Sequence, residues 1–540
     1  MYKDECIYCF ETAPLDLCLI CYQGFCHSHR SIHYHKSTHN IYLTIDKSEK
    51  HIESPPKVTK LEKLEIKVRS EPEYTYSFEY LCHSCNKTHG GSVNDRIIES
   101  IQLHLTAKKS SEIESWQEAE RQSCEHVLLI EQEPTDIGSC AKKCAHCETE
   151  KNLWLCLICG SVGCGRKQFD GTGGNGHAST HYETTGHFAS VKLGTITNDG
   201  DGDVYCYLCD EARMDFYLKD HLINLGIDTK DLKKTEATIS ELQLQQNLAF
   251  DFKLTDENGV AYVAANRAGI YNNGNFCYAA STIQLLVPEL NIDPQHFDKC
   301  KHNAAKCVGC QTLKLKMGLK GTISISAWMF KNAVGDSHPE FSGTKQQDAT
   351  EFANYFMNRL DLDLIKDFKF EYEEIYECKE CKKIEKRPFK SQTLYLNIAS
   401  IIPDEHEQVK LGDLIIEHFE QKESPRKCCN FHMKTWERIT KASEYLLISL
   451  NRIIWEGEGL VKKNSKLKFS LDESLCISDA KYLVKGFISH RGPSMHCGHY
   501  VAHLKDSNDN WILFNDDKTV IVPKDQVCTD QSYLILLQRA

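Results

Sequence analysis

Cys144-Ala-His-Cys147, Cys156-Leu-Ile-Cys159, Cys164, His177, His181 and His187 fall within one 44-residue stretch of a 540-residue chain. The cysteines read C-x2-C-x8-C-x2-C-x4-C. Thiolates and imidazoles in C-x2-C pairs suit tetrahedral zinc. Cys144, Cys147, Cys164 and His177 can close one site, and Cys156, Cys159, His181 and His187 an interleaved second. Cys124-x-His126 upstream and Cys206-x2-Cys209 downstream supply a third. Such closed ligand sets are structural rather than catalytic, and the metal supplies folding energy that a small, loop-rich module lacks.

The same spacing occurs again near the start of the chain. Cys6, Cys9, Cys18, Cys21 and Cys26 precede His29, His33 and His39, and both histidine sets step by four and then six residues. A four-residue step puts two imidazoles on neighbouring turns of one helix. The repetition predicts one module used twice. Cys6, Cys9, Cys26 and His29 are assigned to one site, and Cys18, Cys21, His33 and His39 to the other, with His27 and His35 as competing donors. Cys82 and Cys85 are candidates for a third site, although no Cys-x-His precedes them. A nucleic-acid finger is the rival, because Cys18-x2-Cys21-x11-His33-x5-His39 is near the DNA-finger spacing. That rival leaves Cys6, Cys9 and Cys26 without a role.

The chain has 27 cysteines, 25 histidines and a net charge of −12, with a pI of about 6.1. This balance disfavours nucleic acid and anionic membranes and suits a neutral or basic protein partner. No apolar run has the length of a membrane span, and the charged segment after Met1 does not read as a secretory leader. A reducing, cytoplasmic or nuclear location is expected, with paired cysteines as ligands; a secreted disulfide protein is the alternative. A monomer is the default expectation.

Four regions are expected in an α+β, multidomain chain. Residues 1–120 hold the first Cys/His block, a charged linker with Pro55 and Pro56, and a helical extension in which Ile97, Ile98, Ile101 and Leu105 recur near helical spacing. Residues 121–235 hold the second block, and 236–262 read as a polar linker. Residues 263–540 form a larger domain whose last third reads as strands at Tyr482–Ser489, His499–Leu504, Trp511–Phe514, Val520–Val522 and Tyr533–Leu537.

Within that domain, Cys277 ends Gly269-Ile-Tyr-Asn-Asn-Gly-Asn-Phe-Cys277, a turn running into a helical segment. A thiol at a helix N-terminus is biased toward thiolate. Far downstream lie His490-Arg-Gly-Pro-Ser-Met-His-Cys-Gly-His-Tyr500 and Trp511-Ile-Leu-Phe-Asn-Asp516. A nucleophilic cysteine needs a histidine to hold its proton and an amide or carboxylate to orient that histidine.

These segments resemble the Cys and His boxes of the ubiquitin-specific protease family (peptidase C19), papain-like cysteine hydrolases, over about 263–540. The resemblance implies a fold of fingers, palm and thumb and a cysteine-type ubiquitin carboxyl-terminal hydrolase. By position, Cys277 is the nucleophile and His499 the general base, then acid. Asn515 is the orienting residue, with Asp516 as adjacent helper or substitute, and Asn272 supplies the oxyanion-stabilising amide. Gln346-Gln-Asp-Ala-Thr-Glu-Phe352 is similar to another family box, with Ala349, Phe352, Phe356 and Leu360 as its buried stripe. Asp348 and Glu351 are candidates to hold ubiquitin's basic tail, solvated helix charges being the plain alternative. Asn273, Phe276 and Ala280 depart from the family's usual Leu, small hydroxyl residue and Asn. His490 and His496 also lie near the site, and His499 is preferred for its Gly-His-Tyr setting.

Two further metal sites are expected in this domain. Cys378-x2-Cys381 pairs with Cys429-x2-His432, as in the family's fingers, with Cys428 as an alternative ligand. Cys300-x-His302 pairs with Cys307-x2-Cys310. A redox role for either C-x2-C pair lacks a thioredoxin-like βαβ context. Cys140, Cys476, Cys497 and Cys528 carry no assigned role.

The segment 121–235 resembles the ubiquitin-binding zinc finger of the same family. The resemblance extends to the isopeptidase T branch, whose finger reads the free C-terminal Gly-Gly of ubiquitin. Asn152-Leu-Trp-Leu, Cys164-Gly-Arg, Phe169-Asp-Gly and Val191-Lys-Leu-Gly-Thr-Ile-Thr carry it. The contact positions fall on Trp154, Arg166, Tyr205 and Asp210. Arg166 suits a terminal carboxylate, the two aromatic rings suit a slot that admits glycine, and Asp210 suits backbone N–H groups. Ordinary core packing is the plain reading of Trp154 alone. The N-terminal block, including Tyr2-Lys-Asp-Glu-Cys6, is similar to the variant finger that precedes it in the family; without a Trp/Arg pair it is expected to lack a tail pocket. Together the resemblances imply a deubiquitinase that disassembles unanchored polyubiquitin, with zinc as structural cofactor, ubiquitin as partner, and neither nucleic acid nor membrane. Residues 263–540 are too short to house the ubiquitin-associated domains inserted in that branch. A non-catalytic ubiquitin-binding zinc adaptor is the alternative, suggested by the Cys-box departures.

Overall fold

The computed structural model describes residues 5–49, 74–89, 98, 101, 123–133, 143–166, 174–230, 232–238, 254–256, 258–272, 275–343, 345–398, 408–456, 459–494 and 497–540. The chain forms two compact units, Glu118–Ala249, and Met1–Gln117 together with Phe250–Ala540. The N-terminal block, expected as a separate module over 1–120, thus shares a unit with the protease segment. Most of the expected helix over 91–122 and most of the linker over 236–262 lie outside the described residues, as do Pro55, Pro56, Phe169, Asn273, Cys140 and His496. Of the helical reading, Ile101 is buried beside Leu17, Leu43 and Ile45. Glu236 belongs to the finger rather than to a linker: it accepts from Asn152 N at 2.9 Å and pairs with Lys192 at 3.3 Å.

The repeat seen in the sequence is a repeat of topology. The N-terminal block is an antiparallel sheet in the order Gly24–Phe25, Leu15–Cys18, Ile41–Glu49, Tyr74–Cys82, Lys87–His89. Helix α1, His27–Ser37, bridges its second and third strands in the chain. The central unit has the same order: Val162–Cys164, Leu153–Cys156, Ala189–Lys192, Val204–Cys206, Glu211–Arg213. Helix α2, His177–Thr185, takes the place of α1. Each helix carries the two histidines of the four-residue step and ends in a left-handed residue, Thr38 or Gly186. That reversal turns the third histidine, His39 or His187, back toward the sheet. In the N-terminal block a buried ion pair, Arg30 to Asp16 at 2.8 Å, ties α1 to its sheet.

The protease segment is built on a long sheet. Its path runs Val263–Ala264, Lys518–Val522, Trp511–Asn515, Cys497–Lys505, Ala480–Ser494, Ser532–Arg539, Tyr445–Asn451, Thr393–Asn397, and Leu475–Ile477 pairs beside Ala480–Ser494. All five predicted strands lie in it. Helix α3, Cys277–Leu286, is buried at every residue. An all-round buried helix is a core element, and α3 packs against Cys497–Lys505 on one side and the later helix Ala349–Asn358 on another. Helix α4, Val308–Gly318, lies in the same apolar cluster, as do Ile7, Tyr8 and Phe25 of the N-terminal block. Helix α5, Ala349–Asn358, buries Ala349, Phe352 and Phe356, and Leu360 beyond its end completes the expected stripe. A separate antiparallel sheet, in the order Ile384–Ser391, Phe370–Cys378, Phe431–Lys441, Lys422–Cys428, forms the fingers. Among the described residues no helix is long and apolar enough to cross a membrane.

Candidate active site and metal centres

The turn before Cys277 is pinned to the strand end that carries Asn515. A Cβ at Gly269 would lie 2.6 Å from the carbonyl oxygens of Asp516 and Asp517, so only glycine passes there. Ile270 N donates to Asp516 O at 2.9 Å. The buried Asn272 accepts from Phe276 N through Oδ1 at 2.7 Å and donates through Nδ2 to Asp516 Oδ2 at 3.0 Å. Cys277, fully buried, is the first residue of α3 after Phe276.

His499, also fully buried, sits on Cys497–Lys505 with Nε2 2.7 Å from Asn515 Oδ1. An amide oxygen only accepts, so this contact assigns the Nε2–H tautomer and leaves the lone pair on Nδ1. Asp516 Oδ2 is 3.9 Å from His499 Nε2, outside hydrogen-bond range. Asn515 and Asp516, its expected helper or substitute, therefore make different contacts. Asn515 contacts the imidazole, and Asp516 holds Asn272.

His490, a second histidine of the box, is built into the core. His490 Nδ1 lies 2.8 Å from Lys462 Nζ, and its ring stacks on Tyr500 at 4.1 Å. Burial drives its pKa well below the usual imidazole range, with the Lys462 charge adding. Lys462 also donates to the carbonyls of His490 at 3.2 Å and Gly492 at 2.9 Å. Burial, with Arg452 adding, pushes its pKa down to about 7. No motif marked Lys462, because only the pairing of Ile453–Glu456 with Gly459–Lys462 delivers it. Phe276 and Ala280, two of the departures, are buried beside Cys277.

Asp348 does not sit as expected for a residue that holds a ubiquitin tail. It is 3% exposed and caps α5, accepting from Thr350 N at 2.7 Å and Glu351 N at 2.9 Å, and Tyr533 OH donates to its other oxygen. An N-cap has its carboxylate turned into the chain, so Asp348 is not displayed to a partner. Glu351, in the first turn of α5, is exposed.

Five donor clusters assemble with the ligand sets read from the spacing: Cys6, Cys9, Cys26, His29; Cys18, Cys21, His33, His39; Cys124, His126, Cys206, Cys209; Cys144, Cys147, Cys164, His177; and Cys156, Cys159, His181, His187. Sulfur–nitrogen separations such as Cys144 to His177 at 3.4 Å, Cys159 to His181 at 3.3 Å and Cys18 to His39 at 3.5 Å suit the edges of a zinc tetrahedron, about 3.3–3.8 Å from its bond lengths. His27 and His35, the competing donors, are exposed.

The two clusters of the protease segment differ from expectation. At the fingertips Cys381 Sγ is 3.7 Å from Cys428 Sγ, and Cys428 Sγ is 3.9 Å from Cys429 Sγ. Cys378 joins them through Cys428. His432 is elsewhere, with Nδ1 3.0 Å from Ser424 O. Cys429 and Asn430, both with positive φ, form the two-residue turn between Cys428 and Phe431. That turn puts both cysteines at the tip and sets His432 one register step down the strand. Near α4, Cys307, whose sulfur meets that of Cys300, is approached by the His296 ring rather than by His302. Cys307 Sγ lies 3.7 Å from His296 Nε2, whereas His302 offers Cys300 only its carbonyl, at 4.0 Å.

In the central finger Trp154, Arg166, Tyr205 and Asp210 come together. The Trp154 and Tyr205 rings meet edge to face at 6.1 Å, and the Arg166 guanidinium lies 5.9 Å from the Tyr205 ring. Tyr205 OH donates to Asp210, and Arg166 is 3.7 Å from the same carboxylate. Burial, with Asp210 adding, raises the Tyr205 pKa above its usual value. Trp154 Nε1 donates to Asn152 Oδ1 at 3.1 Å, and a Cβ at Gly165 would lie 2.8 Å from that nitrogen. Arg166 and Asp210 are both mostly exposed, unlike a core pair.

Three family models match the chain: ubiquitin carboxyl-terminal hydrolase over 268–537, the zinc finger in ubiquitin-hydrolases and other proteins over 144–216, and the variant of that finger over 1–51. Ubiquitin carboxyl-terminal hydrolase 14 of Schizosaccharomyces pombe is 34% identical over 482 residues, 79% of this chain and 60% of that one. Human ubiquitin carboxyl-terminal hydrolase 5 is 32% identical over 432 residues, covering 67% of this chain and 49% of its own length. The chain thus spans between half and three fifths of these two relatives. A solved SAGA Ubp8/Sgf11/Sus1/Sgf73 deubiquitinating module bound to ubiquitin aldehyde aligns with TM-score 0.44 and 18% identity, over 74% of this chain and 90% of that one. With the hydrolase model matching half its length and a relative at 34% identity, the chain belongs to the ubiquitin carboxyl-terminal hydrolase family.

Proposed function

We propose that the chain is a thiol-dependent deubiquitinase that cleaves the isopeptide bond at the C-terminal glycine of ubiquitin, acting on unanchored polyubiquitin. The observation that carries this reading is the 2.7 Å contact between His499 Nε2 and Asn515 in a chain of this family. Nδ1 of His499 takes the Cys277 proton, and the thiolate attacks the glycine carbonyl carbon. The Asn272 amide nitrogen has two hydrogens, one bound by Asp516; the second is available to the developing oxyanion. His499 then protonates the departing lysine amine as the C–N bond breaks. Water, deprotonated by His499, hydrolyses the thioester and restores the thiol. The pocket of Trp154, Arg166, Tyr205 and Asp210 holds the free Gly-Gly tail of the next ubiquitin, so two linked contacts on one chain raise avidity. Cysteines grouped as metal donors suit a reducing compartment, cytoplasmic or nuclear.

The test compares free tetraubiquitin with the same chain blocked at its proximal C-terminus. Cleavage of the blocked chain is expected to be slower by about tenfold or more at low substrate, the scale of a lost second contact. Equal rates overturn the unanchored-chain reading.

The Asn272–Asp516 contact makes a second expectation. Asn272→Ala is expected to lower kcat by about 10²-fold, the scale of a lost oxyanion donor. Asp516→Ala acts through Asn272, so the double variant should lose little beyond Asn272→Ala alone. Steady-state kinetics of the four proteins decide it, and fully multiplicative losses would show that Asp516 acts elsewhere.

A further inference from the structure

His296 and Cys300 lie one turn apart across the short helix His296–Lys299, and Cys307 and Cys310 open α4. Cys300 Sγ is 3.5 Å from Cys307 Sγ, and Cys307 Sγ is 3.7 Å from His296 Nε2. The Cys310 thiol interacts with both Cys307 and Cys300. Sulfurs at this spacing are not a disulfide, whose bond is about 2.05 Å. They match the edges of a tetrahedral zinc site. Gly309 keeps the space clear, since a Cβ there would lie 2.8 Å from His296 Nε2.

The same donors and their neighbours grip the N-terminal finger. Phe297, beside His296, meets the Tyr8 ring edge-on at 4.9 Å and the His29 ring at 6.2 Å. Lys36 of α1 donates to the carbonyls of Phe297 and Cys300. Gln311, beside Cys310, donates to Ile7 O at 3.3 Å and Ala304 O at 2.8 Å. The buried Lys314 donates to Cys6 O at 2.9 Å and pairs with Glu5 at 2.7 Å. Cys6 and His29 are themselves donors of the finger's first cluster. Each of these contacts therefore has, on at least one side, a cluster residue or its immediate neighbour.

We propose that His296, Cys300, Cys307 and Cys310 bind a structural zinc ion, and that this centre and the Cys6–Cys9–Cys26–His29 centre form a two-metal clamp joining the N-terminal finger to the protease. Between Cys300 and Cys307 the chain forms no helix or strand. A metal held by both ends of that loop fixes the carbonyls and the Phe297 ring that the finger grips, and metal binding is folding energy for such a segment.

The test uses the full chain and two readouts, zinc per chain by elemental analysis and hydrogen exchange of the finger backbone. His296→Ala and Cys310→Ser are each expected to bind one zinc fewer than the parent and to exchange faster at Ile7, Tyr8 and along α1, with the central finger unchanged. His302→Ala is expected to match the parent in both. Lys36→Ala is expected to keep all its zinc and exchange faster along α1. Unchanged zinc content in His296→Ala, or an equal loss in His302→Ala, overturns the site. Loss of the zinc with unchanged finger exchange overturns the clamp.

Discussion

Cys277→Ala is expected to lose turnover of ubiquitin–lysine isopeptides by about 10⁵–10⁶-fold, the scale of removing a catalytic nucleophile whose partners act with it as a unit. The loss belongs to kcat. Cys277 is fully buried at the start of α3, and the sulfur-to-hydrogen change removes little packing there. Free ubiquitin should still bind the variant as it binds the parent, because the tail pocket proposed above draws its four residues from the other compact unit. The measurement is a progress curve on diubiquitin, paired with a ubiquitin probe carrying a C-terminal electrophile. The parent should form one covalent adduct and Cys277→Ala none. An adduct that survives the substitution sinks the assignment. A parent that binds ubiquitin but forms no adduct turns the reading toward the adaptor, for which Phe276 beside the thiol would then be the cause.

His499→Ala is the companion of that experiment, since the 2.7 Å contact to Asn515 has no purpose without an imidazole to orient. The burial of His499, Asn515 and Asp516 keeps this network in low dielectric, where a correctly placed dipole acts most strongly. The 2.7 Å contact fits the orientation that the proposed mechanism asks of His499.

What the sequence disclosed and what it withheld separate along one physical line. The ligand sets of the two fingers were legible because C-x2-C spacing is a local property and zinc requires four donors. Counting donors proposed these sets, with His27 and His35 as competitors in the N-terminal block; the structure groups the proposed sets and gives both sheets the same strand order. The strands around His499 and Asn515 were legible from their apolar content. The protease clusters were misread wherever the answer depended on a turn. Cys300-x-His302 looks like a pair, yet a short helix brings His296 round to Cys307 instead. Cys429-x2-His432 looks like a pair, yet a two-residue turn places Cys428 at the tip. Asp348 carried its own warning, because Asp348-x-x-Glu351 before an apolar run is a capping signature. Lys462 carried none, since its neighbours His490 and Gly492 lie some thirty positions along the chain and only the fold brings them to its ammonium.

Arg166→Ala is expected to weaken binding of free ubiquitin to the full chain by about 100-fold, or about 2.7 kcal/mol. The side chain is more than half exposed and its pair with Asp210 is long, at 3.7 Å. Such a pair contributes little to stability, so the finger should keep its zinc and its fold. The loss is instead one of recognition. A guanidinium presents two parallel donors to a carboxylate, and a free ubiquitin tail ends in one. Arg166→Lys keeps the charge without the fork and is expected to bind between the two. Calorimetry with intact ubiquitin and with ubiquitin lacking its last two glycines separates charge from geometry. The truncated form should bind the parent as weakly as intact ubiquitin binds Arg166→Ala. Equal binding of both forms to the parent would refute tail reading. The Cys277→Ala background allows the same titration with uncleaved chains. There the loss at Arg166 should persist for free chains and vanish for chains whose proximal C-terminus is blocked, because a blocked tail has no carboxylate for the guanidinium to meet.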